Sequence, residues 1–300
     1  MVNVIRKPFV IPAVVCAVVI VWVLVWNFDP IVNGHWSYLA FYGGFFLVSV
    51  AAIGWAFWKP ENEGRLWLSV PGSVVMIVAA IGAFLLAPFS ATDVALDAMA
   101  SSSDVTVVVS GSSITFEPVG DASDVGLVFQ PGARVDARAY AHILRPLAEA
   151  GHRVVIVKQP LGIAFFATGF AASWADQHPD TEWAVGGHSL GGVVAALNVE
   201  DDQNLNRLVL WASFPSSDIS SVAGLTAVSV SGTNDGLSTP EDIAESAADL
   251  PAGTVFVAVE GAVHSYFGDY GDQPGDGDPT IPKPEAQSEI ATATLAFLNS

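Results

Sequence analysis

The pattern Gly-x-Ser-x-Gly constrains the fold of this chain more than any other feature of its sequence. It occurs as Gly187-His188-Ser189-Leu190-Gly191. The mostly apolar residues 182–185 before it are typical of a buried strand, and residues 192–197 after it can begin a helix. A sharp turn between a strand and a helix holds a serine in a strained conformation and needs small residues beside it. The sequence therefore predicts a nucleophile elbow with Ser189 as the nucleophile, although a chain this rich in glycine could carry the pattern by chance.

Charge is distributed unevenly along the chain. Residues 1–89 are overwhelmingly apolar and contain four Lys and Arg against three Asp and Glu, whereas residues 90–300 contain seven against twenty-seven. The formal net charge of −19 therefore belongs almost entirely to the second part. Such an acidic field repels phosphate backbones, so we expect no nucleic-acid partner. It is typical either of a protein from a salt-loving microbe or of an ordinary acidic, soluble surface.

Three uncharged apolar stretches precede the acidic part, at about residues 8–26, 36–58 and 66–89. Each is long enough to cross a hydrocarbon core of about 30 Å as a helix. Tryptophans stand near their ends, as in the aromatic belt of a membrane interface: Trp26, Trp36, Trp58 and Trp67. A cleaved signal peptide is the alternative for the first stretch, but no small-x-small cleavage site follows it. We expect residues 1–89 to form a membrane anchor of three transmembrane helices in contact with lipid.

The basic residues of the anchor predict its orientation. Arg6 and Lys7 precede the first span, and Lys59 and Arg65 lie between the second and third. The positive-inside rule places both regions in the cytoplasm. With three spans, the chain after Phe89 then lies on the extracytoplasmic side of the cell membrane.

The remaining sequence alternates short apolar runs with helix-like segments. After a linker at residues 90–104, a domain is expected from 105 to 300, with a hairpin at 105–117 and later strands that are almost continuously apolar. Such strands, alternating with helices, predict an α/β fold with a mainly parallel sheet covered by helices on both faces. The link between the strands ending at Trp211 and beginning at Thr226 is short, which predicts that no lid domain is inserted there.

Two residues are candidate partners for Ser189. Ligands bind at the carboxyl ends of strands in such sheets, and Asp235 and His264 each directly follow a predicted strand. A serine hydroxyl needs a base, which would be His264, and the base needs an orienting carboxylate, which would be Asp235. Asp218, after the preceding strand, is a rival acid. The order Ser, Asp, His is that of the α/β-hydrolase triad.

The oxyanion that forms during attack needs two N–H donors. One is expected from Leu190, which follows the nucleophile at the start of a helix. The other is expected from Ala133 or Gly132, in the turn after the strand that ends at Gln130.

A family resemblance rests on these segments taken together. Residues 129–136, 155–161, 186–192, 233–237 and 264–271 resemble the α/β-hydrolase superfamily, and in detail a small lid-less group related to dienelactone hydrolases. The resemblance covers most of residues 125–300 and does not extend to the membrane spans. It implies hydrolysis of an ester or similar acyl compound without a cofactor. Dienelactone hydrolases themselves use cysteine, whereas this chain has Ser189, which argues against a dienelactone substrate.

Two further segments have alternative interpretations. Asp272, Asp276 and Asp278 could bind calcium, but they lack EF-hand spacing, so a solvated loop is expected. Three phenylalanines could line an acyl pocket or touch lipid, although such spacing is more typical of core packing: Phe165, Phe166 and Phe170. One cysteine and six scattered histidines form no zinc-type cluster, and no metal or cofactor is expected.

The sequence thus predicts a membrane-anchored serine esterase that acts on a small acyl substrate. Acyl transfer by the same three residues is an alternative, and so is a non-catalytic binding module of the same fold. Retention of serine, aspartate and histidine in the expected order argues against the binding module.

Overall fold

A computed structural model describes residues 9–58, 66–202 and 204–300. The chain divides into two compact units, the first ending at Pro88 and the second running from Phe89 to Ser300. We describe the two units separately.

Within its described residues, 9–58 and 66–88, the first unit contains three helices. They are α1 (Val10–Asn33), α2 (Ser37–Trp58) and α3 (Leu66–Leu85). α1 packs against both α2 and α3, and the Tyr42 hydroxyl of α2 donates to the Ala83 carbonyl of α3 at 2.9 Å. The predicted first span ended at residue 26, whereas α1 runs to Asn33 because a second helical stretch follows a kink at Asn27, whose backbone is not helical.

Two of these helices, α1 and α2, are long and apolar enough to cross a membrane, judged by length and composition alone. α3 has 20 residues and ends at Leu85, short of the predicted span of 66–89. The prediction of three spans is therefore supported for two helices. The basic residues used to predict orientation, Arg6, Lys7, Lys59 and Arg65, lie outside the described residues.

The second unit is built on one eight-stranded sheet. Its strands in chain order are β1 (Val105–Val109), β2 (Ser113–Pro118), β3 (Val125–Gln130), β4 (Val154–Val157), β5 (Glu182–His188), β6 (Arg207–Trp211), β7 (Thr226–Gly232) and β8 (Val255–Val259). Their spatial order is β1-β2-β4-β3-β5-β6-β7-β8. β2 pairs antiparallel with β1 and β4, and all other pairs are parallel. The predicted hairpin and mainly parallel sheet are confirmed.

Helices cover both faces of this sheet. In chain order they are α4 (Asp93–Asp97), α5 (Ala141–Glu149), α6 (Phe170–Gln177), α7 (Leu190–Asp201), α8 (Pro240–Ser246) and α9 (Lys283–Leu298). Leu127 and Phe129 of β3 point into a core with α5 and α9, whereas Val128 points into a second core with α6 and α7. Because alternate side chains of a strand point to opposite faces, a continuously apolar strand serves both cores.

The structure differs from the expected boundaries at the start of this unit. Residues 90–104, predicted as a linker, belong to the second unit, and α4 packs against α5. Phe89 N–H donates to the Arg134 carbonyl at 2.7 Å, and Thr92 N–H donates to the Asp269 carbonyl at 2.8 Å. Residues 212–225, between β6 and β7, contain turns and no helix, so no lid is inserted there.

Candidate active site

Ser189 occupies a strained turn between β5 and α7. Its φ of 52° and ψ of −124° are values that residues with a side chain rarely adopt. The turn is also crowded, since a Cβ on Gly191 would collide with the carbonyl oxygens of Gln130 and Pro131. A Cβ on Gly187 would collide with the backbone of Gly191. The glycines of the pattern are therefore required by close backbone approach, and the turn has the geometry of the predicted elbow.

Asp235 and His264 lie together on the turns that follow β7 and β8. His264 Nδ1 is 2.9 Å from Asp235 Oδ2, and both side chains are buried. The other carboxylate oxygen, Oδ1, accepts the N–H groups of Leu237 and Ser238, each at 2.8 Å. Three bonds therefore fix the carboxylate. Since the carboxylate accepts, His264 carries its proton on Nδ1 when neutral and keeps Nε2 as an acceptor.

The structure joins Asp235 to His264 but, among the residues it describes, shows no hydrogen bond between His264 and the Ser189 hydroxyl. His264 Nε2 is buried and has no hydrogen-bond partner among the described residues. The imidazole of His264 lies against that of His188, the residue before Ser189, with 4.5 Å between the ring centroids. The His264 ring therefore lies near the elbow. Contacts between a base and its nucleophile are often loose without substrate.

His188, the variable residue of the pattern around Ser189, lies against His264. Its ring is buried between those of His264 and Phe267. Its Nδ1 lies 2.9 Å from the hydroxyl of Tyr140. Burial lowers the pKa of His188 well below its ordinary value, and the nearby His264 lowers it further. A neutral His188 places no positive charge beside the ring of His264.

Tyr140 is a site residue that the sequence did not reveal. Its hydroxyl accepts the N–H of Gly132 at 2.8 Å and faces His188 Nδ1, so it links the turn after β3 to the elbow. Burial raises the pKa of the Tyr140 hydroxyl, which therefore keeps its proton and can donate it to His188. Its partners are 8 and 48 residues away along the chain, so no local pattern marks it.

The hydrogen bond from Gly132 N–H to the Tyr140 hydroxyl also changes which amides can donate to an oxyanion. Gly132 was an alternative to Ala133, but its N–H is already bonded to Tyr140. The backbone N–H groups of Ala133 and Leu190 have no hydrogen-bond acceptor within the part of the chain that the structure describes. Arg134 N–H donates to the Gly162 carbonyl at 2.7 Å and fixes the turn that carries Ala133. Two free amides thus remain from the three candidates.

The rival acid Asp218 lies away from the histidine. It is exposed, and its carboxylate accepts the N–H and hydroxyl of Ser220, at 3.0 and 2.6 Å. These bonds lower the pKa of Asp218. They form a local turn and make no contact with His264.

The other two segments also differ in part from expectation. Phe170 stacks on Trp174 in the core, as core packing predicts, but Phe165 and Phe166 are 47% and 63% exposed. The side chain of Asp276 turns inward, and both of its oxygens accept backbone N–H groups. In residues 9–58, 66–202 and 204–300, no group of three His, Cys, Asp or Glu residues could hold a metal ion.

Most of the second unit matches a known protein family in sequence. The profile of the alpha/beta hydrolase family matches residues 126–288, more than half of the chain. The chain belongs to the alpha/beta hydrolase family. As in other alpha/beta hydrolases, the strand–turn–helix at Ser189 lies within the matched region. No curated protein sequence matches the chain.

One solved structure shows a likeness of fold. A predicted CIB-like hydrolase from Thermoplasma acidophilum is 14% identical, with a TM-score of 0.50, over 65% of this chain and 98% of that one. TT1662 from Thermus thermophilus is also 14% identical, with a TM-score of 0.48, over 65% of this chain and 99% of that one. At such low identity, the first likeness concerns the fold alone.

Proposed function

We propose that this chain is a membrane-anchored serine hydrolase that cleaves a carboxylic ester or a related acyl compound through Ser189, His264 and Asp235. The observation that carries the proposal is the state of His264. Its Nδ1 is bound to a buried carboxylate, its Nε2 has no partner among the described residues, and its ring lies against that of His188 in the elbow. An imidazole held in this way is oriented to accept a proton from a serine.

The proposed reaction follows from these groups. Ser189 Oγ attacks the ester carbonyl carbon and transfers its proton to His264 Nε2, while Asp235 stabilises the imidazolium. The N–H groups of Leu190 and Ala133 donate to the oxyanion. The tetrahedral intermediate then expels the alcohol, which takes the proton from His264, and an acyl ester remains on Ser189. Water, activated by the same imidazole, hydrolyses this ester and regenerates the serine.

The proposed substrate class rests on the serine nucleophile and on the absence of a helix between β6 and β7, in residues 212–225. Residues 212–225 insert no lid over the sheet, which supports a place among small lid-less hydrolases resembling dienelactone hydrolases. No group other than Ser189, His264, Asp235 and the two amides enters the proposed reaction, so it needs no cofactor.

We also propose that α1, α2 and α3 anchor the enzyme in the cell membrane, with the second unit outside. The two longest apolar helices support the anchor, and the basic residues of the sequence support the orientation. Protease added to intact cells should then degrade the chain after Phe89. Full protection of that part of the chain would contradict the orientation.

Ester hydrolysis tests the catalytic proposal. The full-length protein in detergent should hydrolyse p-nitrophenyl esters, and Ser189→Ala should lower kcat by at least about 10³-fold. The matched control is Ser221→Ala, which removes the hydroxyl of an exposed serine and should leave the rate unchanged. Equal rates for wild type and Ser189→Ala would refute the proposed mechanism.

A further inference from the structure

We propose that Asp276 is a positioning residue that fixes the turn of the acid, Asp235, and the turn of the base, His264, relative to one another. This inference rests on the proposed function of those two residues. Asp276 lies in the glycine- and aspartate-rich segment 272–278, and it is not itself expected to touch the substrate.

The Asp276 side chain binds the backbone of the turn that carries the base, His264. Its Oδ1 accepts the N–H of His264 itself at 3.0 Å, and its Oδ2 accepts the N–H of Ser265 at 2.8 Å. One carboxylate thus binds two successive amides at the start of the 3-10 helix His264–Phe267. Because one of them is the amide of the base, a shift of Asp276 would move the imidazole directly.

The same carboxylate and its neighbours also contact the turn of the acid. Asp276 Oδ1 lies 3.4 Å from the N–H of Gly236, the residue after Asp235. Asn234 Nδ2 donates to the Asp278 carbonyl at 2.9 Å. A Cβ on Gly236 would lie only 2.8 Å from both the Gly275 carbonyl oxygen and the Gly277 nitrogen. The segment 272–278 is therefore packed closely against the turn that presents Asp235.

The chemistry of the contact requires a carboxylate. Asp276 receives the N–H groups of His264, Ser265 and Gly277, the last at 2.8 Å, and both oxygens are used as acceptors. An asparagine has one acceptor oxygen, and its amide group would face an N–H donor where Oδ2 or Oδ1 now accepts. Burial acts to raise the pKa of Asp276, but these backbone hydrogen bonds outweigh it and hold the pKa below its ordinary value. The group is therefore ionised at neutral pH.

Two other hydrogen bonds join the starts of the two turns without involving Asp276. Asn234 N–H donates to the Ala262 carbonyl at 3.0 Å, and Gly261 N–H donates to the Thr233 hydroxyl at 2.7 Å. Loss of the Asp276 carboxylate should therefore leave the sheet and the first residues of both turns in place. Its effect should appear in the alignment of Asp235 with His264.

The test compares Asp276→Asn with Asp278→Asn in the full-length protein in detergent. Both substitutions remove one negative charge from the same segment, but the exposed Asp278 side chain accepts no hydrogen bond from the residues that the structure describes, whereas Asp276 accepts several. Two quantities are measured, namely kcat and KM for a p-nitrophenyl ester, and the downfield proton resonance of His264 Nδ1–H. The resonance is assigned by its loss in Asp235→Asn.

For Asp276→Asn, kcat should fall by about 100-fold with little change in KM, as expected for misplaced reacting groups. The Nδ1–H resonance should shift upfield or be lost to exchange. Asp278→Asn should keep the wild-type kcat and resonance. Wild-type values of both quantities in Asp276→Asn would overturn the proposal, and so would an equal change in Asp278→Asn.

Two further outcomes are also decisive. If Asp276→Asn does not fold, Asp276→Glu replaces it, because it keeps the charge but moves the carboxylate by one methylene. A lowered kcat with a shifted resonance in that variant supports the proposal, and wild-type values overturn it. If the wild-type protein hydrolyses no ester, the proposed function fails, but the resonance of His264 still tests the role of Asp276.

Discussion

His264 Nδ1 lies 2.9 Å from Asp235 Oδ2, and the two side chains are only 1% and 0% exposed. Burial strengthens this hydrogen bond because little water competes for either partner. The two residues follow β7 and β8, which are parallel neighbours, so their carboxyl ends reach the same edge of the sheet. The sheet thus brings His264 to Asp235, and the bond between them orients the imidazole.

Replacing the acid should damage the reaction far more than the fold. In Asp235→Asn, the amide can donate to His264 Nδ1 and so favour the wrong tautomer, which leaves Nε2 without acceptor capacity. We expect kcat for ester hydrolysis to fall by about 10⁴-fold. Asp218→Asn is the control, because that exposed carboxylate contacts only Ser220. A larger loss in Asp218→Asn than in Asp235→Asn would assign the acid to Asp218.

The elbow should not tolerate even one methyl group at Gly191. In Gly191→Ala, the Cβ would collide with the carbonyls of Gln130 and Pro131, so the turn carrying Ala133 must move. We expect a lower thermal midpoint and loss of fluorophosphonate labelling. Gly169→Ala is the matched control, because nothing lies within 4 Å of its added Cβ. Normal labelling of Gly191→Ala would show that the close approach is not needed.

Removing the Tyr140 hydroxyl should cost stability. In Tyr140→Phe, the Gly132 N–H and His188 Nδ1 both lose their partner inside the protein, which should lower the free energy of unfolding by about 2 kcal/mol. In Tyr270→Phe only the bond to the partly buried Gln273 is lost, so the cost should be below about 1 kcal/mol. Denaturant unfolding of both variants measures the difference. Equal costs would contradict the bridging role of Tyr140.

His142 should make the stability of the protein depend on pH. The hydrogen bond to Asp269 raises the pKa of His142 above its ordinary value. Burial acts to raise the pKa of Asp269, but the bonds and charges of His142, Lys283 and Gln287 outweigh it and lower that pKa. His142 therefore contributes stability to the folded state that is fully present below the pKa it has in the unfolded chain. This contribution is lost as pH rises through its higher pKa in the folded protein. Asp269 contributes stability that is present above the pKa it has in the unfolded chain. This contribution is lost as pH falls through its lower pKa in the folded protein.

The measurement is the denaturant midpoint of wild type and His142→Gln at two pH values. The difference between them should be larger at about pH 5.5 than at about pH 8.5, on either side of the titration of histidine. In an Asp269→Asn background, the pH dependence of this difference should disappear. A difference that stays constant with pH would mean that the charge of His142 does not contribute.

Much of the second unit could be predicted because its sequence patterns are local. Continuous apolar runs marked β3, β5 and β6, and the glycines around Ser189 marked the turn. Asp235 and His264 were predictable because a parallel sheet brings residues that follow its strands to one edge. The structure places the two side chains within hydrogen-bonding distance, and their catalytic roles stay predictions.

What the sequence could not reveal depends on contacts between distant residues. Gly132 was excluded as a donor by a hydroxyl from Tyr140, and the direction of His188 was decided by packing against Phe267. Asp276 was considered as a calcium ligand because its backbone partners cannot be read from its own segment. The end of α1 was missed because polar residues at its bend suggested a loop.

The most direct test of the central claim is to locate the covalent adduct of a fluorophosphonate probe by mass spectrometry of the folded, full-length protein. The account predicts one modified serine, Ser189, and about 10³-fold slower modification in His264→Ala, because the serine would lack its base. An adduct on another serine, or a Ser189 that stays unmodified while the protein hydrolyses esters, would contradict it.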